Sequence, residues 1–419
     1  MGDDTAATGG VRVRAFADGD WPLFRRLDEL AFGYTAEAEL VDVDSPVMDH
    51  GRSLIAEVDA EPAGLASAYP FPLSVPGGGS VPAAGTTWVG VLPTHRRRGV
   101  LRAMMTRHLV DSRERGDAVA VLWASEPSIY GRFGFGVGSR DLALALSATD
   151  VDPALPGAPY DPSLRARIVA PEDARAAMAA VYRAQAAQRP GAPARDDAWW
   201  DRVLVDPVSR RDGASERRCL LVEDATSVRG YALYATRFSF DDTGSPDGTL
   251  NVRELLSVDP AARAALWRVL LGHDLMTRTT WRSAPSDEPL LEWAPIRRGL
   301  HGPGDQLYVR VLDIAAALTG RAYASPVDAV LEVRDGMVDT CAGRWRLTVG
   351  PDGRAACVRT ADDPDVSLDV RDLGGVYLGA RSLWSLALAG VAQAHDPGQV
   401  RALSAALRHE PAAWCPHVF

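Results

Sequence analysis

The chain has 419 residues, more than one ordinary core accommodates, and its 47% hydrophobic content is enough to build two or three. A formal charge of −10 excludes a general nucleic-acid binder and favours cationic small molecules or basic protein segments as partners. All 45 basic residues are arginine, and the four cysteines (Cys219, Cys341, Cys357, Cys415) lack both Cys-x-x-Cys and metal-ligand spacing, so they read as reduced thiols of a cytoplasmic protein with no metal.

Residues 1–10 are polar and glycine-rich and read as a disordered arm without the pattern of a signal peptide. No apolar run reaches the length of a membrane span. Val11-Arg-Val13-Arg-Ala-Phe16 alternates as a first strand. Asp18-Gly-Asp20 then precedes a helix carrying Trp21, Phe24, Leu27 and Leu30. Residues 53–58 and 64–75 form a hairpin pattern turned by 59–62, and Pro76-Gly-Gly-Gly79 is a loop. Trp88-Val89-Gly90-Val91 suits a buried strand, which Pro93 ends.

His95-Arg96-Arg97-Arg98-Gly99 leads into a helix with Val100, Leu101, Met104, Met105 and Leu109 on one face. The first turn of such a helix offers free backbone N–H groups and the positive end of its dipole. Here Arg96, Arg97, Arg98 and Arg102 ring it, and Gly99 has no Cβ to keep an oxygen away. That combination fits a pyrophosphate; the bland alternative is a solvated basic turn capping an amphipathic helix. Without lysine there is no Walker-type loop. Gly116 stops the helix, and 118–124 is a strand apolar on both faces. Ser125-Glu126-Pro-Ser-Ile-Tyr130-Gly-Arg-Phe-Gly134 follows as a short helix. Its tyrosine is either a core aromatic or a group facing the reaction centre. The order strand, helix, three strands, helix, strand makes a mixed α/β (α+β) layer around one sheet.

Residues 151–163 hold four prolines and read as a linker. The plan then repeats: a strand at 167–169, an alanine-rich helix, a hairpin over 219–223 and 231–240, and Leu255–Pro260 before a helix at 261–271. This copy has no glycine at the helix start and only Arg263 where the first has three arginines, so it reads as a duplicate without a phosphate site. Trp199 and Trp200 are either core packing or the wall of a cleft. Residues 295–303 read as a second linker. Strands at 307–312, 329–333, 344–349, 355–360 and 366–370 follow, with a turn at Pro351-Asp-Gly353, then helices at 372–379, 382–391 and 397–409. The apolar, aromatic end Trp414-Cys-Pro-His-Val-Phe419 is expected to dock into the protein.

Arg96-x-x-Gly99 after a strand resembles the acetyl-CoA loop of GNAT N-acetyltransferases, with Leu101 where the pattern has a small residue. Across nearly the whole chain the sequence resembles the Eis family. The match is carried by Val91-x-Pro-Thr-His-Arg-Arg-Arg-Gly-x-Leu-Arg-Ala-Met104, Ala124-Ser-Glu-x-x-Ile-Tyr-Gly-Arg-Phe-Gly134, Leu331-Glu-Val333, Tyr377-Leu-Gly-Ala380 and the terminal Phe419. The resemblance implies a catalytic GNAT domain at 1–149, a second GNAT-like domain without cofactor at 150–303 and a domain like a sterol carrier protein at 304–419, assembled as a homohexamer.

Carried over by the same resemblance, Val89, Gly90 and Val91 hold the pantetheine arm. Arg97, Arg98, Gly99, Val100, Leu101 and Arg102 hold the pyrophosphate, and Ser125 and Glu126 line the cosubstrate. Tyr130 is the general acid and the Phe419 carboxylate the general base, unless the tail is merely packed. The acceptor is a primary amine of a cationic small molecule, aminoglycoside-like or a polyamine. Tyr34 and Val418 stand where the family's aminoglycoside pocket has acidic residues. The alternatives are a protein-lysine acetyltransferase, or a non-catalytic assembly binding acyl-CoA or lipid.

Overall fold

A computed structural model describes residues 10–296 and 298–419, so residues 1–9 of the amino-terminal arm and Arg297 in the 295–303 stretch lie outside it. In chain order the first elements are β1 (Val11–Ala15), α1 (Trp21–Phe32), α2 (Ala38–Val47), β2 (Leu54–Val58), β3 (Glu61–Ser74), β4 (Ser80–Val91), α3 (Val100–Glu114), β5 (Val119–Trp123), α4 (Pro127–Tyr130) and β6 (Gly136–Val137). Then come β7 (Arg140–Ser147), β8 (Arg165–Val169), α5 (Arg175–Ala186), α6 (Asp197–Leu204), β9 (Arg218–Glu223), β10 (Val228–Arg237), β11 (Gly248–Ser257), α7 (Pro260–Leu271), β12 (Met276–Pro285), α8 (Leu290–Trp293) and β13 (Leu300–Asp305). The last are β14 (Leu307–Val311), α9 (Ile314–Thr319), β15 (Val327–Arg334), β16 (Gly343–Val349), β17 (Ala355–Arg359), β18 (Val366–Asp369), α10 (Val370–Tyr377), α11 (Leu383–Leu388), β19 (Gln393–Ala394) and α12 (Pro397–Leu407).

The chain divides into two units. The first holds the residues up to Ser139, Gln306–Glu410 and Val418–Phe419; the second holds Arg140–Asp305 and Pro411–His417. In the first unit one sheet has the order β1-β2-β3-β4-β5-β14-β6. Its apolar centre follows from sequence: β5 is Val-Ala-Val-Leu-Trp with its first four residues buried, and β14 is buried throughout. β14 pairs antiparallel with β5, Leu307 opposite Trp123 and Val311 opposite Val119. Although β14 comes more than 150 residues after β5 in the chain, it separates β5 from β6.

A five-stranded sheet in the same unit, β17-β16-β15-β18-β19, carries the carboxy-terminal helices. Helix α10 lies so close to β14 that a Cβ on Gly374 would stand 2.1 Å from the Val309 carbonyl oxygen. Arg321, buried, donates to the carbonyls of Tyr377 and Leu407, the latter at 2.7 Å. Both acceptors sit in the last turns of α10 and α12, where carbonyls lack helical partners and positive charge is favoured.

The second unit has the sheet order β13-β7-β12-β11-β10-β9-β8. Its core includes Trp200, Trp267, Trp281 and Trp414. Trp199 and Trp200 are both buried; Trp200 belongs to this core, edge-on to Tyr182, whereas the Trp199 ring lies 5.3 Å from that of His417.

Two expectations change. The stretch at 295–303 is linker only in part, because β13 begins at Leu300 and pairs with β7. Its glycines and proline suggest a break, but β13 is an edge strand. The register slip between His301 and Gly304 takes up Pro303, which such positions tolerate. The strand expected at 88–91 is the end of the twelve-residue β4.

Candidate active site

β4 pairs with β3 along its length, from Ser80 opposite Ser74 to Val91 opposite Gly64. On its other side it pairs with β5 only where Ala83–Gly85 face 119–121. Beyond Gly85 the two parallel strands part, and the edge of Val89–Val91 on the β5 side has no strand partner.

A bulge accounts for the parting. The β3–β4 register slips between Leu65, opposite Gly90, and Ser67, opposite Thr87, leaving Trp88 and Val89 against Ala66 alone. Trp88 has φ +53, a left-handed conformation costly for a bulky residue. Its surroundings hold it there: the indole N–H donates to the Tyr69 hydroxyl at 2.9 Å, and the ring lies 5.8 Å from Phe24 with the Arg25 guanidinium 5.5 Å from its centre. Such a bulge bends its strand away from the neighbour.

The gap opens into a cleft of about 660 Å³. Its walls are Val89, Gly90 and Val91 of β4, Arg96, Arg97 and 99–102 at the start of α3, and Glu126, Ile129 and Tyr130 around α4. Ala31 and Phe32 of α1 close one side, and they explain Gly90, whose Cβ would stand 2.9 Å from Ala31 and 2.8 Å from Leu65.

Helix α3 begins without a side-chain cap: Gly99, at φ +85, is its N-cap and makes none, and no acidic residue follows in the first turn. Arg97 is also left-handed, at φ +62. Such turns curl successive N–H groups toward one side, the geometry of anion-binding concavities. No heavy atom lies within 4 Å of a Cβ built on Gly99, so the approach is open. Arg96, Arg97 and Arg102 line the cleft, whereas Arg98 pairs with Asp59 at 2.9 Å and is not part of the lining.

Tyr130 faces this space, and its hydroxyl has no hydrogen-bond partner among the described residues. Burial pushes the phenol above its usual pKa, and the charge of Glu126 adds to the shift, so the proton stays on the oxygen at neutral pH. Phe419 is buried, its ring 5.2 Å from Phe71 and 6.5 Å from Tyr69. A Cβ on Gly85 would stand 3.2 Å from that ring, which puts the last residue beside the point where β4 and β5 part.

The structure therefore brings together Val89, Gly90, Val91, Arg97, Gly99, Val100, Leu101, Arg102, Glu126 and Tyr130 around one cleft; Arg98, Ser125 and Phe419 are not in its lining. Sequence reasoning missed Ala31, Phe32 and Met337 in the wall, since an apolar residue on a helix or loop carries no signal of its own. It also missed Asp28 on α1, a buried carboxylate that accepts from the Tyr34 hydroxyl and that burial raises above the usual carboxylate range. All four cysteines are free and buried. Among the described residues no helix is long and apolar enough to cross a membrane, and no group of three or more His, Cys, Asp or Glu could hold a metal ion.

The acetyltransferase (GNAT) domain model matches residues 12–138, a second acetyltransferase (GNAT) domain model matches 191–311, and a sterol carrier protein domain model matches 314–416. The chain is thus an N-acetyltransferase with two GNAT domains followed by a sterol-carrier-like domain. It is 35% identical over 404 residues to N-acetyltransferase Eis of Mycobacterium tuberculosis, covering 92% of this chain and 94% of that one, and it belongs to the Eis family. An N-acetyltransferase of Streptomyces avermitilis is 42% identical over 409 residues, 97% of this chain and 99% of that protein. The crystal structure of Eis1 from Mycobacterium abscessus superposes with a TM-score of 0.81 at 31% identity, covering 98% of this chain and all of that one. A GCN5-related N-acetyltransferase from Anabaena variabilis shares the fold, with a TM-score of 0.82 at 19% identity over 98% of this chain and 100% of that one.

Proposed function

We propose that this acetyltransferase transfers the acetyl group of acetyl-CoA directly to a primary amine of a cationic small molecule, with Tyr130 as general acid and the Phe419 carboxylate as general base. The observation carrying this reading is the single cleft that joins an uncapped, arginine-lined helix start, an unpaired strand edge and an unpartnered tyrosine.

The residues suit the cosubstrate. The N–H groups at the start of α3, with Arg97 and Arg102, are the groups to hold a pyrophosphate. The free edge of Val89–Val91 can pair with the amides of a pantetheine arm as it would with a strand, and its N–H groups can polarise a carbonyl. Acetyl-CoA supplies an activated thioester. Tyr130 keeps its proton at neutral pH and can deliver it to the departing sulfur.

Proton removal from the amine is the harder task. An α-carboxyl at pKa ~3.5 and an alkylammonium at ~10.4 differ by about 9 kcal/mol. Transfer therefore requires either that the neutral amine be taken from solution or that a desolvated site bring the two values together. The net charge of −10 favours a cationic acceptor in general.

Adding one residue after Phe419 is expected to lower kcat at least a hundredfold while acetyl-CoA still binds. Unchanged turnover in that variant removes the base assignment. Tyr130→Phe should lower kcat ten- to a hundredfold with little change in the KM for acetyl-CoA. Aminoglycosides, polyamines and basic peptides, assayed side by side for CoA release, separate the small-molecule reading from lysine acetylation, for which the acidic surface is the supporting observation. The family resemblance supports a cytoplasmic homohexamer, and light scattering checks the subunit count.

A further inference from the structure

The second unit repeats the device that opens the cleft of the first. β11 pairs with β12 in parallel from Gly248 to Val252, the last pair being Val252–Trp281. Both strands then run on, to Ser257 and Pro285, and β11 has its own register slip against β10 at Leu233/Tyr234. The segment Pro411–His417 belongs to this unit, and its Trp414 reaches both strands beyond that last pair. Trp414 is buried, donates from its indole N–H to the Ser283 carbonyl of β12 at 3.0 Å, stacks edge-on with Trp281 at 5.9 Å, and borders a small cavity with Leu256 of β11.

The segment is held by more than its tryptophan. The Trp414 amide donates to the Pro190 carbonyl at 2.9 Å. Arg189 donates to the Ala412 carbonyl at 2.5 Å, and the Ala412 amide donates to Asp287 at 2.8 Å. Arg195, fully buried as a side chain, pairs with Glu254 of β11 at 2.5 Å and reaches Nδ1 of His417 at 2.8 Å. Its guanidinium lies 4.0 Å from the Tyr182 ring centre and 4.9 Å from that of Trp200, and the Tyr231 hydroxyl donates to Glu254. With arginine as the donor, Nδ1 of His417 is the acceptor, so the imidazole is neutral; burial and the nearby arginines hold its pKa well below the usual histidine value. Two residues after His417 the chain ends at Phe419.

We infer that the opening between β11 and β12 is the anchorage of the carboxy-terminal tail, and that Arg195, His417 and Trp414 are positioning residues for the terminal carboxylate. The inference rests on the proposed role of Phe419 as base. A carboxylate at a chain end must be fixed within a fraction of an ångström to take a proton, and a free tail could not do so. The place where the first GNAT domain has its cleft is, in the second, spent on holding this tail.

The test uses the full chain with His417→Leu, which removes the acceptor of Arg195, and His417→Asn, whose side-chain oxygen replaces Nδ1. Trp414→Phe is a second, milder probe of the seat. Two readouts are taken: release of Phe419 by a carboxypeptidase, which needs no acceptor, and kcat with KM for acetyl-CoA on the best amine of the screen above. In His417→Leu, Phe419 release should rise at least tenfold and kcat fall at least tenfold, with KM for acetyl-CoA within twofold. Trp414→Phe should move both in the same direction by less, and His417→Asn should stay close to the parent. Unchanged release in both His417→Leu and Trp414→Phe overturns the anchorage, whatever the base. Faster release with unchanged kcat overturns the positioning role. The variant extended after Phe419 separates this from failure of the base assignment, because retained turnover there condemns the base alone.

Discussion

Gly99 shows how much a single backbone conformation can carry. At φ +85 with open space beside it, an added methyl meets no atom but forces a left-handed alanine, a cost of about 1 kcal/mol. Gly99→Ala should therefore raise the KM for acetyl-CoA several-fold while changing the denaturation midpoint little, as steady-state kinetics and urea unfolding will show. His108 tests a different kind of residue. It is fully buried, shares a 2.8 Å hydrogen bond with Thr86, and burial, with Arg52 nearby, lowers its pKa to about 4. The unfolded chain binds its proton near pH 6.5 and the folded chain does not, so stability is complete above pH 6.5 and falls as pH drops toward 4. The loss is on the order of 3 kcal/mol, and urea midpoints at pH 7 and pH 5 should converge in His108→Gln. Neither effect could be fully read from sequence. The loop glycine was legible from its place between arginines and an apolar helix, whereas a histidine on an amphipathic helix announces neither its burial nor its partner.

The starts of α3 and α7 show what distinguishes the two GNAT domains at the scale of an element. Both helices follow a strand that parts from its neighbour. α3 has an uncapped glycine start. α7 is capped by Asp259, whose carboxylate accepts from the Ala262 amide at 2.8 Å and pairs with Arg229 at 2.8 Å. A carboxylate in that position satisfies the N–H group a phosphate would use and repels the phosphate charge. Asp259→Ala should cost about 1 kcal/mol through the lost cap, and hydrogen exchange should quicken in the first turn of α7. The sequence shows no glycine and no arginine cluster at the start of α7, though the aspartate that caps it was not singled out. Other elements stayed hidden for physical reasons. α2 carries Pro46 and only a weak apolar face, and its Asp44 pairs with Arg25 of α1 at 3.7 Å. β13 was obscured because an edge strand tolerates the glycines and proline that usually signal a linker.

Across the whole molecule, the first large sheet depends on a strand from far beyond its own stretch of sequence, whereas the second is built from the consecutive strands β7–β13. β14 enters the first sheet after the entire second GNAT segment, and β7 enters the second sheet directly after β6 has closed the edge of the first. Periodicity finds such strands but not their partners, because alternation says which face is buried and nothing about which neighbour is paired. A fragment ending at Ser139 should therefore fail to fold cooperatively, with β5 exposing an apolar edge, and should aggregate during expression. Adding residues 306–313 as a peptide should restore solubility, and circular dichroism with analytical centrifugation checks both outcomes.

The late arrival of β14 also sets a timetable for synthesis. At ordinary elongation rates, roughly ten to thirty seconds separate the emergence of β5 from that of Leu307–Val311. Through that interval the nascent amino-terminal half presents a sticky apolar border to the crowded cytosol, and the ribosome finishes most of its work before the catalytic layer can close. Chaperone supply and codon choice across the middle of the gene should consequently govern the yield of active enzyme more than any change within the cleft itself.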